Sequence, residues 1–99
     1  MFAKKTDENQ KQIVLSFKKA GFKVVLLHMV GKGCPDLLIS HSHLPGWSAL
    51  VEIKNPKAKG RLNNLQKDFH QNWHGNIHVI ETIGDVAELI TEVFQGISV

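Results

Sequence analysis

Gly33-Cys34-Pro35-Asp36-Leu37-Leu38-Ile39-Ser40 and Leu50-Val51-Glu52-Ile53-Lys54 are the two stretches around which this chain organises itself. Both are runs of apolar and β-branched residues. The breaker cluster Gly31-Lys32-Gly33-Cys34-Pro35 precedes the first, and a basic, Pro- and Gly-bearing loop over 55–60 follows the second. Strands are predicted over 36–40 and 47–54, joined by a loop over 41–46. Strand side chains alternate faces, so Val51 and Ile53 point to one side while Glu52 and Lys54 share the other. On the pentapeptide alone two readings of that Glu–Lys pair stay open. At an exposed edge the opposite charges contribute little. In a central strand covered on both faces they are desolvated together, which is costly without partners, and a polar cleft holding a metal ion and a phosphate would supply those partners.

Outward from this centre, helix and strand signals alternate. Asp7 with Gln10 resembles a capping box, and Ile13, Val14 and Phe17 recur at helical spacing before Gly21, which suits the position after a helix end. A helix is predicted over 7–20 and a strand over 22–30. Asn63 can N-cap a helix running to about residue 73, with Gln66 at its third position. Gly75-Asn76 turns the chain into a strand over 77–81. An amphipathic helix over 85–94 closes it, with Val86, Leu89, Ile90 and Val93 inward. The order αβββαβα fits an α/β sandwich around a mixed four-stranded sheet.

At 99 residues, 42% hydrophobic and 21% charged, the chain has the size and balance of one globular domain over 1–99. No signal peptide or membrane span is readable. The single Cys34 excludes an intramolecular disulfide framework and a Cys-rich zinc site, and points to a reducing cytoplasmic setting, the host cytoplasm for a viral chain. The net charge of +3 is unevenly distributed. Residues 1–80 hold all 12 Lys and Arg and five acids, a net +7, whereas Glu81, Asp85, Glu88 and Glu92 give residues 81–99 a net −4. A basic body of this kind suits a polyanion partner, and it also occurs as an ordinary solvated surface.

Asp36 weights the choice at Glu52. A hairpin-like pairing of the strands over 36–40 and 47–54 brings its carboxylate toward Glu52, and two converging carboxylates repel unless a cation or a proton sits between them. Hard oxygen ligands suit Mg²⁺ or Mn²⁺, which also bind phosphate oxygens. Lys54 beside such an ion is placed to stabilise charge building up on a phosphoryl group.

Pro35-Asp36, fifteen intervening residues and Glu52-Ile53-Lys54 resemble the PD-(D/E)XK nuclease signature. Within that superfamily, Gly33-Cys34-Pro35-Asp36-Leu37, Val51-Glu52-Ile53-Lys54 and the later Gln66 are most similar to the VRR-Nuc (virus-type replication-repair nuclease) domain, in stand-alone form and over nearly the whole chain. The resemblance implies a restriction-endonuclease-like core and a Mg²⁺-dependent endodeoxyribonuclease, Mn²⁺ substituting. It makes Asp36 and Glu52 the metal-binding carboxylates, the Ile53 main-chain carbonyl a further ligand and Lys54 the catalytic lysine. It places Glu8 where the family has another acid facing the site, and Gln66 where it has a glutamine. Glu8 reads equally well as a first-turn acid complementing the helix dipole, and Gln66 as the capping-box partner of Asn63. The resemblance further implies cleavage of branched DNA such as Holliday junctions by a homodimer, since one small site reaches one strand.

Lys57, Lys59 and Arg61, just past Lys54, and Lys32 before Asp36 are the expected contacts to backbone phosphates. His41 with His43 and His70 with His74 have spacings that can bind zinc, yet neither pair has a third ligand in view. His70 follows Gln66 by four residues on one helix face, which opens a role near the phosphate. Trp47 and Trp73 read as core or interface, and Cys34 as a turn residue. The rival readings are a restriction-type nuclease on the same scaffold, a non-catalytic DNA-binding module, and an adaptor whose charges are only surface.

Overall fold

Helix α1 (Glu8–Lys19) forms because Ile13 and Phe17 recur one turn apart and are buried together. In this computed structural model, which describes residues 8–58 and 61–96, α1 ends at a turn where Gly21 takes φ +90°, a left-handed conformation that favours glycine. Asp7 and Lys59, named above as a cap and a phosphate contact, lie outside the described residues. Four strands follow: β1 (Lys23–Leu26), β2 (Leu37–Ser40), β3 (Ser48–Ile53) and, after a short 3-10 turn over Pro56–Ala58 and helix α2 (Asn64–Asn72), β4 (Asn76–Ile80). Helix α3 (Ile83–Gln95) ends the described chain, giving the order αβββαβα.

The sheet order is β1-β2-β3-β4. β1 pairs with β2 and β2 with β3 antiparallel, whereas β4 runs parallel to β3, so the sheet is mixed. β3 is therefore an interior strand, and four of its six residues are buried. Its alternation divides the protein into layers. Ala49 and Val51, with Leu37, Ile39 and Ile80, join Ile13 and Phe17 of α1 and Val86 and Leu89 of α3 in one core. Full burial of side chains such as Phe17, Leu37 and Val51 contributes about 1.5–3 kcal/mol each. Leu50 and Glu52 project from the other face, which α2 covers with no fully buried residue of its own.

β1 is shorter than the strand predicted over 22–30. Leu26 pairs with Leu37, where β2 begins, and the Leu27 N–H then donates to the Asp36 carbonyl at 2.7 Å. Beyond that point the chain has no strand opposite it and turns, with Val30 N–H on the Leu27 carbonyl and positive φ at Gly31, Lys32 and Gly33. α3 starts two residues earlier than predicted, because Thr82 and Asp85 form a reciprocal capping box. Among the described residues no helix is long and apolar enough to cross a membrane.

Candidate active site

The site lies where β2 enters, and β3 leaves, the α2-covered face of the sheet. Asp36 stands one residue before β2 and is fixed at three atoms. Its N–H donates to the Val51 carbonyl at 3.0 Å, its carbonyl accepts from Leu27, and its carboxylate Oδ2 accepts from the Ile53 N–H at 2.7 Å. Buried Pro35 precedes it. The Gly33 turn that delivers it packs against α2 so closely that a Cβ there would overlap the Leu65 carbonyl, and φ at Gly33 is +81°. Both constraints oppose any side chain. Gly33→Ala is therefore expected to destabilise the protein by about 2–4 kcal/mol, read as a shift in a denaturant-unfolding midpoint; an unchanged midpoint excludes this packing.

Glu52 is only 3% exposed although it is an acid. Its Oε2 accepts from Gln66 Nε2 at 3.2 Å, while Oε1 is occluded and has no hydrogen-bond partner. Burial pushes its pKa up from the ordinary carboxylate range to about 8. The neighbouring Asp36 adds to the rise by charge and by hydrogen bonding, and Lys54 opposes it. The predicted strand pairing thus brings the two carboxyl groups together.

Lys54 shares the Glu52 face, as strand alternation requires, and its Nζ donates to Gln66 Oε1 at 2.6 Å. That ammonium forms no ion pair with Glu52 or Asp36 among the described residues. Gln66 links everything. Its Oε1 also accepts from the Asn63 N–H at 3.0 Å, and its own N–H donates to Asn63 Oδ1 at 2.9 Å. It therefore closes the helix cap and bridges Lys54 and Glu52 at once.

His70, one turn past Gln66, sets Nε2 at 3.9 Å from Glu52 Oε1, and this nitrogen too is occluded and unpartnered. Burial, assisted by the Lys54 charge, lowers its pKa and keeps the ring neutral at pH 7. Burial, then the Glu52 and Asp36 charges, raise the Cys34 pKa, which holds it as a thiol and opposes a nucleophilic role.

The remaining predicted residues lie around this centre. Glu8 opens α1 on the exposed surface and lines an apolar groove with Leu15 and Leu26. Among the described residues no three His, Cys, Asp or Glu converge in a metal-binding group. Lys32, Lys57 and Arg61 are exposed. Ile53 lies between Glu52 and Lys54 in the chain, its N–H engaged by Asp36. Asn9, which the sequence reading passed over, donates from Nδ2 to the Lys54 carbonyl at 3.2 Å and to the Glu81 carbonyl at 3.0 Å, tying α1 to the ends of β3 and β4. No local pattern signals a contact between residues so far apart in the chain.

Compared with known proteins, the chain matches no family model, no curated protein and no solved structure.

Proposed function

We propose that the chain is a metal-dependent DNA endonuclease that hydrolyses phosphodiester bonds. One observation carries this reading. A nearly fully buried carboxylate, Glu52, lies beside a second one, Asp36, with an unpartnered oxygen and no ion pair to the adjacent lysine. With Glu52 ionised such an arrangement is unfavourable, and either a proton, held up to about pH 8, or a cation that displaces it relieves the crowding; the nuclease reading takes the cation. The donor set fits a hard divalent ion: Asp36 and Glu52 would hold it, with the Ile53 main-chain carbonyl as a further oxygen. Mg²⁺, or Mn²⁺ in its place, would supply phosphate polarisation and a lowered water pKa.

The chain's own groups do the rest. The Ile53 N–H fixes one Asp36 oxygen and thereby orients the other. Gln66 hydrogen-bonds both the Lys54 ammonium and the Glu52 carboxyl, so the cationic group that would meet transition-state charge needs little reorganisation. Exposed Lys32, Lys57 and Arg61 supply charge for backbone phosphates, and Lys67 adds an exposed base on α2. The acids Glu88 and Glu92 are exposed on α3, in the layer across the sheet.

Branched DNA such as a Holliday junction, cut by a homodimer, is the substrate class we propose, because a single site of this size reaches one strand. Edge strand β1 and the turn after it expose Val25, Leu26, Met29 and Val30, apolar surface available to a second copy. The test presents labelled duplex, flap, fork and four-way DNA with Mg²⁺, Mn²⁺ and chelator. Metal-dependent cutting, strongest on branched DNA, is expected. Binding without cutting of any substrate would replace the nuclease by a DNA-binding module.

A further inference from the structure

One face of β3 continues past the candidate active site. Ser48, Leu50, Glu52 and Lys54 alternate onto the side that α2 covers, and the first two line a cavity of about 220 Å³ with Leu38, Gly75, Asn76 and Trp73. Leu50 precedes Glu52 by one alternation of the strand, about 7 Å. Trp73, the C-cap of α2, is 44% exposed, yet its indole is held in place. Phe69, one turn earlier, stacks on it with ring centroids 5.6 Å apart and planes 16° from parallel. Gly75 leaves the space beside it, since a Cβ there would come within 2.8 Å of Trp73 Nε1. Polar groups rim the same cavity. Asn76 Nδ2 donates to the Ser48 carbonyl at 3.0 Å, which fixes the side-chain amide. Asn76 Oδ1 and the Ser48 hydroxyl have no hydrogen-bond partner among the described residues.

We propose that the Phe69–Trp73 stack is a platform for one unpaired nucleobase of the DNA strand whose phosphate lies at the neighbouring carboxylates. The inference rests on the reading of Asp36, Glu52 and Lys54 as a phosphodiester-cleaving site. A flat aromatic ring with polar edges is the occupant that this combination fits. It stacks on the exposed indole, its edge meets the free Asn76 and Ser48 groups, and its own backbone tethers it to a phosphate one strand step away. An aliphatic side chain would leave both polar groups unmet. Exposed Lys67, on the same helix, adds charge for the connecting backbone. Stacking tolerates any base, because every base has a π-face, but it demands one released from its duplex. Branch points of junctions, forks and flaps yield such bases more readily than a continuous duplex. The platform thereby gives a preference for branched DNA a physical origin.

Photocrosslinking of the full chain tests this directly. A single-stranded oligothymidylate carrying one 5-iododeoxyuridine is bound in chelator, so that cleavage does not intervene, and irradiated. Peptide mapping is expected to place the crosslink on Trp73 or Phe69. The unmodified chain suffices for this measurement, so a folding defect in a variant leaves the test intact. In a binding titration under the same conditions, Trp73→Ala should weaken oligothymidylate binding at least about fivefold. Trp73→Phe should retain most of the affinity, and Trp73→Ala should bind an abasic oligomer of equal length within about twofold of the unmodified chain. Crosslinks that map elsewhere overturn the platform and leave the nuclease reading standing. Equal affinity of the unmodified chain for base-bearing and abasic oligomers does the same. Failure to bind these oligomers and four-way DNA alike overturns both.

Discussion

Lys54→Ala is expected to lower DNA cleavage by at least about 10²–10³-fold while DNA affinity stays within about threefold. The ammonium contributes to the site in two ways that its removal ends together. It is the fixed positive charge beside the two carboxyl groups, held by Gln66 at 2.6 Å. It also opposes the rise in the Glu52 pKa, so without it Glu52 is still harder to ionise. Gln66 retains its bonds to Asn63 and Glu52 in the variant, and the helix cap survives. Single-turnover cleavage and a binding titration on the same four-way substrate separate the outcomes. Undiminished cleavage removes Lys54 from the chemistry. Equal loss of binding and cutting makes it a phosphate contact only, and no change in either leaves the adaptor reading.

The second large effect concerns stability against pH. In the fold the Glu52 pKa rises from about 4.5 to about 8, so the native state holds this proton more tightly than the unfolded chain. Its contribution is present in full below about pH 4.5 and is lost as pH climbs through about 8, at about 1.4 kcal/mol per unit between them. In chelator, the unfolding free energy is expected to fall by a few kcal/mol between about pH 5 and pH 9. Saturating Mg²⁺ should restore it, most at the alkaline end, because the ion binds the ionised carboxylate. Glu52→Gln carries no such proton. Its profile in chelator is expected to lose that slope, and Mg²⁺ should no longer stabilise it. Urea unfolding across this range provides the check, and a wild-type profile that is level in chelator rejects the buried, charge-crowded state of Glu52.

The element order was legible because each helix announces itself locally. Ile13 with Phe17 and Val86 with Leu89 carry the helical spacing, and Asn63 with Gln66 carries the cap. The overextended first strand shows where such signals end. Val25 and Leu26 are in β1 and Met29 and Val30 are in the turn, yet all four are apolar and exposed. Composition cannot distinguish them, and only the start of β2 at Leu37 does. Around Glu52, the approach of Asp36 and the shared face with Lys54 were readable from pairing and alternation, and the Asn63–Gln66 cap from its spacing. Gln66 beside Glu52 was expected from the family resemblance alone. The contact of Gly33 with the Leu65 carbonyl and the reach of Asn9 to β3 were not readable, since each joins segments whose meeting depends on the whole fold. His70 was half legible: its spacing from Gln66 is in the sequence, and its approach to an unpartnered oxygen is not.

Helix α2 has one more consequence for how this molecule behaves. It has no fully buried residue of its own, and it meets the sheet through the Gln66 hydrogen bonds to Lys54 and Glu52 and through the close seat of Gly33. Undocking the helix and dismantling the reactive constellation are therefore a single opening event, while the core beneath α1 and α3 stays closed on the far side. Occupancy of the centre would then be written in backbone proton exchange: amides over 64–72 slow first and most, and the opposite layer hardly notices.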